Sequence, residues 1–181
     1  LTKEIEMSKS IVITLIGEDR PGIVESISSI ITQYKGEWVD SRMANLSGRF
    51  TGILRINFPY KEVDRAVSHL KLNPIDGINL QVEEVNDAYE NVRGKCFKFE
   101  LIGQDRPGIV HRVSSVIVNN GATVDAFESE VIEASMSGEK LFKSNITICL
   151  EEDRNIDELC TLLEELENEL MVDITSTPLS L

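Results

Sequence analysis

Along the first half of the chain, apolar positions change their period several times, and each period predicts an element. Residues 10–16, SIVITLI, form a short apolar run rich in β-branched residues, which suits a strand buried on both faces. Ile23, Ile27, Ile30, Ile31 and Tyr34 then recur at i, i+4, i+7, i+8 and i+11, one stripe of an amphipathic helix closing near Gly36. WVDSRMANL (38–46) and FTGILRINF (50–58) are extended runs on either side of Ser47 and Gly48, residues suited to a hairpin. Leu54, Ile56 and Phe58 alternate towards one face of the second run. Pro59 ends the pair, Val63, Ala66, Val67 and Leu70 mark a second helix, and INLQVEEV (78–85) supplies a last strand. The unit reads βαββαβ.

The second half spells the same order again. FKFELI (97–102) leads to a stripe at Ile109, Val113, Val116 and Ile117, followed by ATVDAFESEV, LFKSNITICL, a leucine-rich helix and MVDITS. The clearest echo is IGEDRPGIV at 16–24 against IGQDRPGIV at 102–110. Gly17 to Gly103 and Ser29 to Ser115 are 86 residues apart, whereas Gly36 to Gly121 and Asp40 to Asp125 are 85 apart. The alignment therefore slips by one between helix and second strand. Later segments align near 92 and 93, so the second copy has the longer hairpin, around residues 133–140. Two copies are too few for a solenoid and imply a duplicated domain. We expect domains at 9–86 and 95–177, joined by a polar linker at 87–94. Each would be α+β, two helices on one face of a mostly antiparallel four-stranded sheet in the ferredoxin-like arrangement.

Charge and cysteine content narrow the function. The net charge of -13 repels phosphate backbones, and there is no basic stripe with interleaved aromatics, so direct nucleic-acid binding is not expected. Residues 1–90 hold 10 Lys and Arg against 14 Asp and Glu, the remainder 8 against 17, so the acidity lies mainly in the second half. Much of it is in LCTLLEELENEL, where Glu164, Glu165, Glu167 and Glu169 alternate with leucines as on a solvated helix face. No apolar run is long enough to span a bilayer, and residues 1–10 lack a secretory core, so no membrane partner is expected. The expectation is a cytoplasmic protein, or an organellar one if a targeting peptide has been removed ahead of Leu1. Cys96, Cys149 and Cys160 form no CxxC pair, and three cysteines leave one over in any disulfide scheme. A reducing compartment, with the cysteines as small core residues, is the expected reading.

The repeated turn carries the candidate chemistry. In GEDRPG, Pro21 would preset helical φ in the first turn, Gly22 would let the backbone pass closely, and Asp19 would cap free N–H groups. The competing reading is a small anion site: free N–H groups and the positive end of the helix dipole suit a carboxylate, with Arg20 and Arg106 adding charge. Gly17 and Gly22 satisfy GxxxxG, but Ile23 and Val24 stand where a P-loop needs Lys and Ser or Thr. No GxGxxG follows either strand, so nucleotide and dinucleotide sites are unsupported. His69 and His111 are too few for a metal site, and no HExxH or GxSxG occurs, so neither metal, cofactor nor catalytic residue is expected. His111 falls in the first helical turn beside the second loop, where an exposed histidine or a ligand donor would both fit.

A βαββαβ unit whose first strand runs into DRPGI at a helix start closely resembles the ACT domain, a small-molecule regulatory module. Asp19-Arg20-Pro21-Gly22-Ile23 and Asp105-Arg106-Pro107-Gly108-Ile109 both carry the motif, and the resemblance spans almost all of residues 9–177. Within the family, DRPGIV followed by VDSRMA (39–44) and FTGILRI (50–56) looks most like the tandem-ACT glycine cleavage system transcriptional repressors. The resemblance implies a non-enzymatic regulator. Its ACT units would pair side by side and could form a homodimer, bind a small amino acid or similar metabolite at the interface near the strand-to-helix loop, and act on a protein partner such as a transcription factor or an enzyme. Carried over by position, Asp19, Arg20, Gly22 and Ile23, with Asp105, Arg106, Gly108 and Ile109, would hold a carboxylate through backbone N–H groups. Asp40 and Asp125 on the second strands would take the ammonium group. The sequence departs from the family's amino-acid sites in lacking the Asn often found on or before that strand, where Glu37, Trp38, Ala122 and Thr123 stand. Two alternatives follow from the same motif. One is the regulatory piece of a larger enzyme, since similar domains are attached to formyltetrahydrofolate deformylases and to uridylyltransferases; the other is an interaction module that binds no ligand.

Overall fold

The computed structural model describes residues 7–73, 75–85, 95–134, 138–150, 155–170 and 172–178. The linker expected at 87–94 lies outside the described residues. Residue contacts divide the chain into two compact units, one ending at Glu90 and one beginning at Asn91.

In the first unit the periods resolve into β1 (Ser8–Glu18), α1 (Ile23–Gln33), β2 (Glu37–Leu46), β3 (Arg49–Pro59), α2 (Val63–Leu72) and β4 (Ile78–Glu84). The strands lie in the order β2-β3-β1-β4, all neighbours antiparallel. Ser47 and Gly48 close the β2–β3 hairpin with φ of 52° and 75°, the doubly left-handed turn whose twist matches the strands it joins. Ile11, Ile13 and Leu15 of β1 meet Leu54, Ile56 and Phe58 of β3 on the face that α1 and α2 cover with Ile23, Ile27, Ile31, Val63, Ala66 and Leu70. The expectation that β1 is buried on both faces is corrected here. Ile16 is 53% exposed and Val12 and Thr14 are half-buried, because helices cover one face of the sheet only.

The second unit repeats this with β5 (Cys96–Gln104), α3 (Ile109–Asn119), β6 (Ala122–Glu133), β7 (Lys140–Leu150), α4 (Ile156–Leu170) and β8 (Val172–Pro178), in the order β6-β7-β5-β8. Phe99, Leu101, Ile146 and Ile148 form its core with Ile109, Val113, Ile117, Leu159 and Leu163. On α4, Glu164 and Glu165 are exposed as the leucine alternation implied, while Glu167 accepts a hydrogen bond from the Ile174 backbone and ties the helix to β8. Among the described residues no helix is long and apolar enough to cross a membrane.

Strand pairing corrects the one-residue slip. Ile11 pairs with Ile56 and Trp38 with Ile56; in the second unit Phe97 pairs with Ile148 and Val124 with Ile148. Trp38 and Val124, like Gly17 and Gly103, are 86 apart, so the alignment does not shift. Each second strand carries a bulge after that residue, at Val39 in one unit and Asp125 in the other. The left-handed residue that leaves the helix is Lys35 (φ 56°) in the first unit and Gly121 (φ 70°) in the second, again 86 apart. Gly36 thus corresponds to Ala122, and the shared glycine letter marks different backbone positions.

The cysteines are corrected too. Cys96 and Cys149 face each other across β5 and β7 and form a disulfide, with 4.1 Å between their Cα atoms. Cys160 is half-buried beside the helical core, as expected of a small core residue. A pair 53 residues apart leaves no spacing cue, and only the strand register brings it together.

Candidate functional site

Both DRPG segments form the corner where the first strand of a unit passes into its first helix. Gly22 (φ 91°) and Gly108 (φ 88°) are the N-cap residues, both left-handed. This is a conformation glycine adopts without the Cβ penalty. Neither helix has a side-chain cap. That overturns two local expectations: Asp19 does not cap α1, and Pro21 precedes the N-cap instead of occupying the first helical turn. With the left-handed glycine turning the chain, the helix starts at Ile23 and at Ile109, and both isoleucines point into their cores, 3% and 4% exposed. Any part they take in a ligand site would be through the backbone. The first N–H groups of an α-helix have no intrahelical acceptor. Here the ladder begins with Ser26 N–H donating to Gly22 O (2.9 Å) and Arg112 N–H to Gly108 O (3.0 Å), and in the second unit Ile109 N–H donates to Arg106 O (3.3 Å).

The charged residues of the two corners are held differently. Asp19 donates its N–H to Gly48 O of the hairpin (3.0 Å), and its carboxylate accepts from Asn45 Nδ2 on β2. Arg20 donates to the carbonyl of Asp76 and lies 3.7 Å from the Asp76 carboxylate. In the second unit Asp105 N–H donates to Lys140 O (3.2 Å), and Arg106 reaches back to Gln104 Oε1 through Nε (3.2 Å) and a terminal nitrogen (2.9 Å). Position 104 is the one at which the two nine-residue copies differ, and Gln104 offers this arginine a neutral acceptor. Asn45 and Asp76 were missed by sequence reasoning, because their roles depend on a strand pairing and a turn that no local pattern announces.

Asp40 and Asp125 do not join their own corners. Asp40 lies beside Arg55 of β3, its Oδ2 3.1 Å from the guanidinium, on the sheet face away from the helices. Arg55 pairs with Val12, six residues along β1 from Glu18, or about 20 Å at the rise of a strand. Asp125 is the bulged residue of β6, equivalent in backbone position to Val39 and not to Asp40. His111 is exposed in the first turn of α3. His69 has a structural part: its Nδ1 lies 2.9 Å from the Tyr34 hydroxyl, and the rings meet edge to face at 5.5 Å. Among the described residues, shallow cavities open elsewhere, one of about 410 Å³ around Tyr34, Arg65 and His69 and one of about 280 Å³ around Glu128, Lys143 and Asn145. Neither includes a DRPG residue.

Two α+β units, each with a strand-to-helix corner that lacks a side-chain cap, define a tandem module of the ferredoxin-like class. The family model described as the ACT domain matches residues 9–73. Over the whole chain the fold is similar to a protein of unknown function from Galdieria sulphuraria, at 25% identity and a TM-score of 0.84, covering 96% of this chain and 100% of that one. It is also similar to a protein described as a glycine cleavage system transcriptional repressor, at 18% identity and a TM-score of 0.70, covering 97% and 99%. A UPF0237 protein of Methanococcus maripaludis is 29% identical over 83 residues, 43% of this chain and 90% of that protein. Residues 9–73 match the ACT domain, and the chain folds as two ACT-like βαββαβ units in tandem.

Proposed function

We propose that the protein is a non-enzymatic regulator that binds the carboxylate of a small amino acid at its DRPG corners and passes the occupied state to a protein partner. The observation that carries this reading is the pair of helix starts without a side-chain cap behind left-handed Gly22 and Gly108, each flanked by an arginine. Backbone donors and a helix dipole suit a carboxylate without any nucleophile or base. The repressor-like neighbour gives the partner its direction, a component of transcription. Within each corner the candidate residues are Asp19, Arg20, Gly22 and the Ile23 backbone, or Asp105, Arg106, Gly108 and the Ile109 backbone. Asp40 and Asp125 stand apart in their own units.

Thermal unfolding of the full chain against a panel of amino acids tests the reading. A true ligand at a hundredfold excess over its Kd stabilises by about 2.7 kcal/mol. An unchanged transition with every amino acid at millimolar concentration would reject ligand sensing and leave an interaction module.

A further inference from the structure

The disulfide occupies a position that the duplication allows to be compared within one chain. Cys96 and Cys149 are direct partners on β5 and β7, and Leu150 N–H donates to Lys95 O (3.0 Å) just beyond them. This makes them a non-hydrogen-bonded pair, the closer of the two antiparallel spacings, in agreement with their 4.1 Å Cα separation. In the first unit the same place holds Ser10 and Asn57, direct partners on β1 and β3, where the Ser10 hydroxyl donates to Asn57 Oδ1 (2.6 Å). One position is thus tied in both units, by a hydrogen bond in one and by a covalent bond in the other. The fold itself does not require the covalent form.

We propose that Cys96–Cys149 is a reversible redox clasp, an oxidative modification site of the second unit that the first unit replaces with a fixed polar pair. Two observations support a reversible bond. A reduced pair would stay face to face, because the ladder on both sides holds the register, so reoxidation is an intramolecular closure. The sulfurs lie on the sheet face away from α3 and α4, whereas Cys160 packs on the helical side, so the sheet separates the third thiol from the pair and prevents exchange with it. Both cysteines are buried, 7% and 8% exposed, which restricts attack on Sγ to a compact dithiol reductant that can resolve its own mixed disulfide.

In the reaction, a thiolate of the dithiol attacks one Sγ, the S–S bond breaks, and the other cysteine leaves as a thiolate. The second thiol of the reductant then attacks the mixed disulfide. Two electrons and two protons pass to Cys96 and Cys149, and the reductant leaves as a cyclic disulfide. Freed of the cross-link, the joined ends of β5 and β7 open more readily, while β1 and β3 are unaffected.

The test uses the full chain equilibrated in graded ratios of reduced and oxidised dithiothreitol. Thiols are counted by alkylation and backbone opening is read by hydrogen exchange. One thiol on the oxidising side and three on the reducing side are expected. Exchange in peptides of β5 and β7 should rise about tenfold or more on reduction and stay within about twofold in β1 and β3. Cys96→Ser with Cys149→Asn, which copies the first unit, should hold exchange constant across all ratios; Cys96→Ala with Cys149→Ala serves if that variant does not fold. Three thiols on the oxidising side, equal exchange in both states, or thiols that appear only with global unfolding would each overturn the clasp.

Discussion

Gly22 and Gly36 flank α1 and are glycine for opposite reasons. At Gly22 a Cβ would meet nothing within 4 Å, but φ is 91°; at Gly36 the backbone is ordinary, but a Cβ would lie 2.6 Å from Phe58 Cε1 and 2.8 Å from Ile31 Cγ2. Gly22→Ala, and Gly108→Ala in the second unit, should therefore cost about 1–2 kcal/mol through conformation alone. Gly36→Ala should cost about 1–3 kcal/mol through overpacking. The second unit shows how this clash is relieved: Ala122 stands at the Gly36 position and Leu150 at the Phe58 position, paired across β6 and β7. Gly36→Ala combined with Phe58→Leu should lose less stability in urea titrations than the two single changes added together. Strict additivity would show that Gly36 does not answer to Phe58.

The β2–β3 hairpin turns on Ser47 and Gly48, both left-handed, and serine is the weaker choice at the first position, where Asn is favoured. Ser47→Asn should raise the unfolding free energy by about 0.5 kcal/mol, measured by chemical denaturation. A loss of stability would show that Ser47 makes a contact Asn cannot replace. This hairpin was legible in the sequence because its turn chemistry is local, and so were the helices, whose stripes at Ile23, Ile27 and Ile31 or Ile109, Val113 and Ile117 became the buried faces. The bulges were not legible. Val39 and Asp125 differ in chemistry, so identical letters nearby, Gly36 with Gly121 and Asp40 with Asp125, suggested a slip that strand pairing does not make. The corners were legible as corners, whereas Asn45 and Asp76 enter them from other elements.

At the scale of the chain, duplication has given two units with separate cores, one built on Ile11, Ile13, Leu54 and Phe58 and the other on Phe99, Leu101, Ile146 and Ile148. Each helix pair covers its own sheet, and each sheet is closed by its own last strand. A core that is complete within one unit should support cooperative folding in isolation. Residues 7–85 expressed alone are therefore expected to unfold in a single urea transition with a stability of roughly 4–12 kcal/mol, the usual range for a domain of this size. Circular dichroism and tryptophan fluorescence of Trp38 should change together, since Trp38 packs against the core from β2 while the helices dominate the circular dichroism. A broad transition, or two probes that fail to coincide, would mean that the first unit needs the second to complete its core, and that duplication has produced one folding unit in two parts.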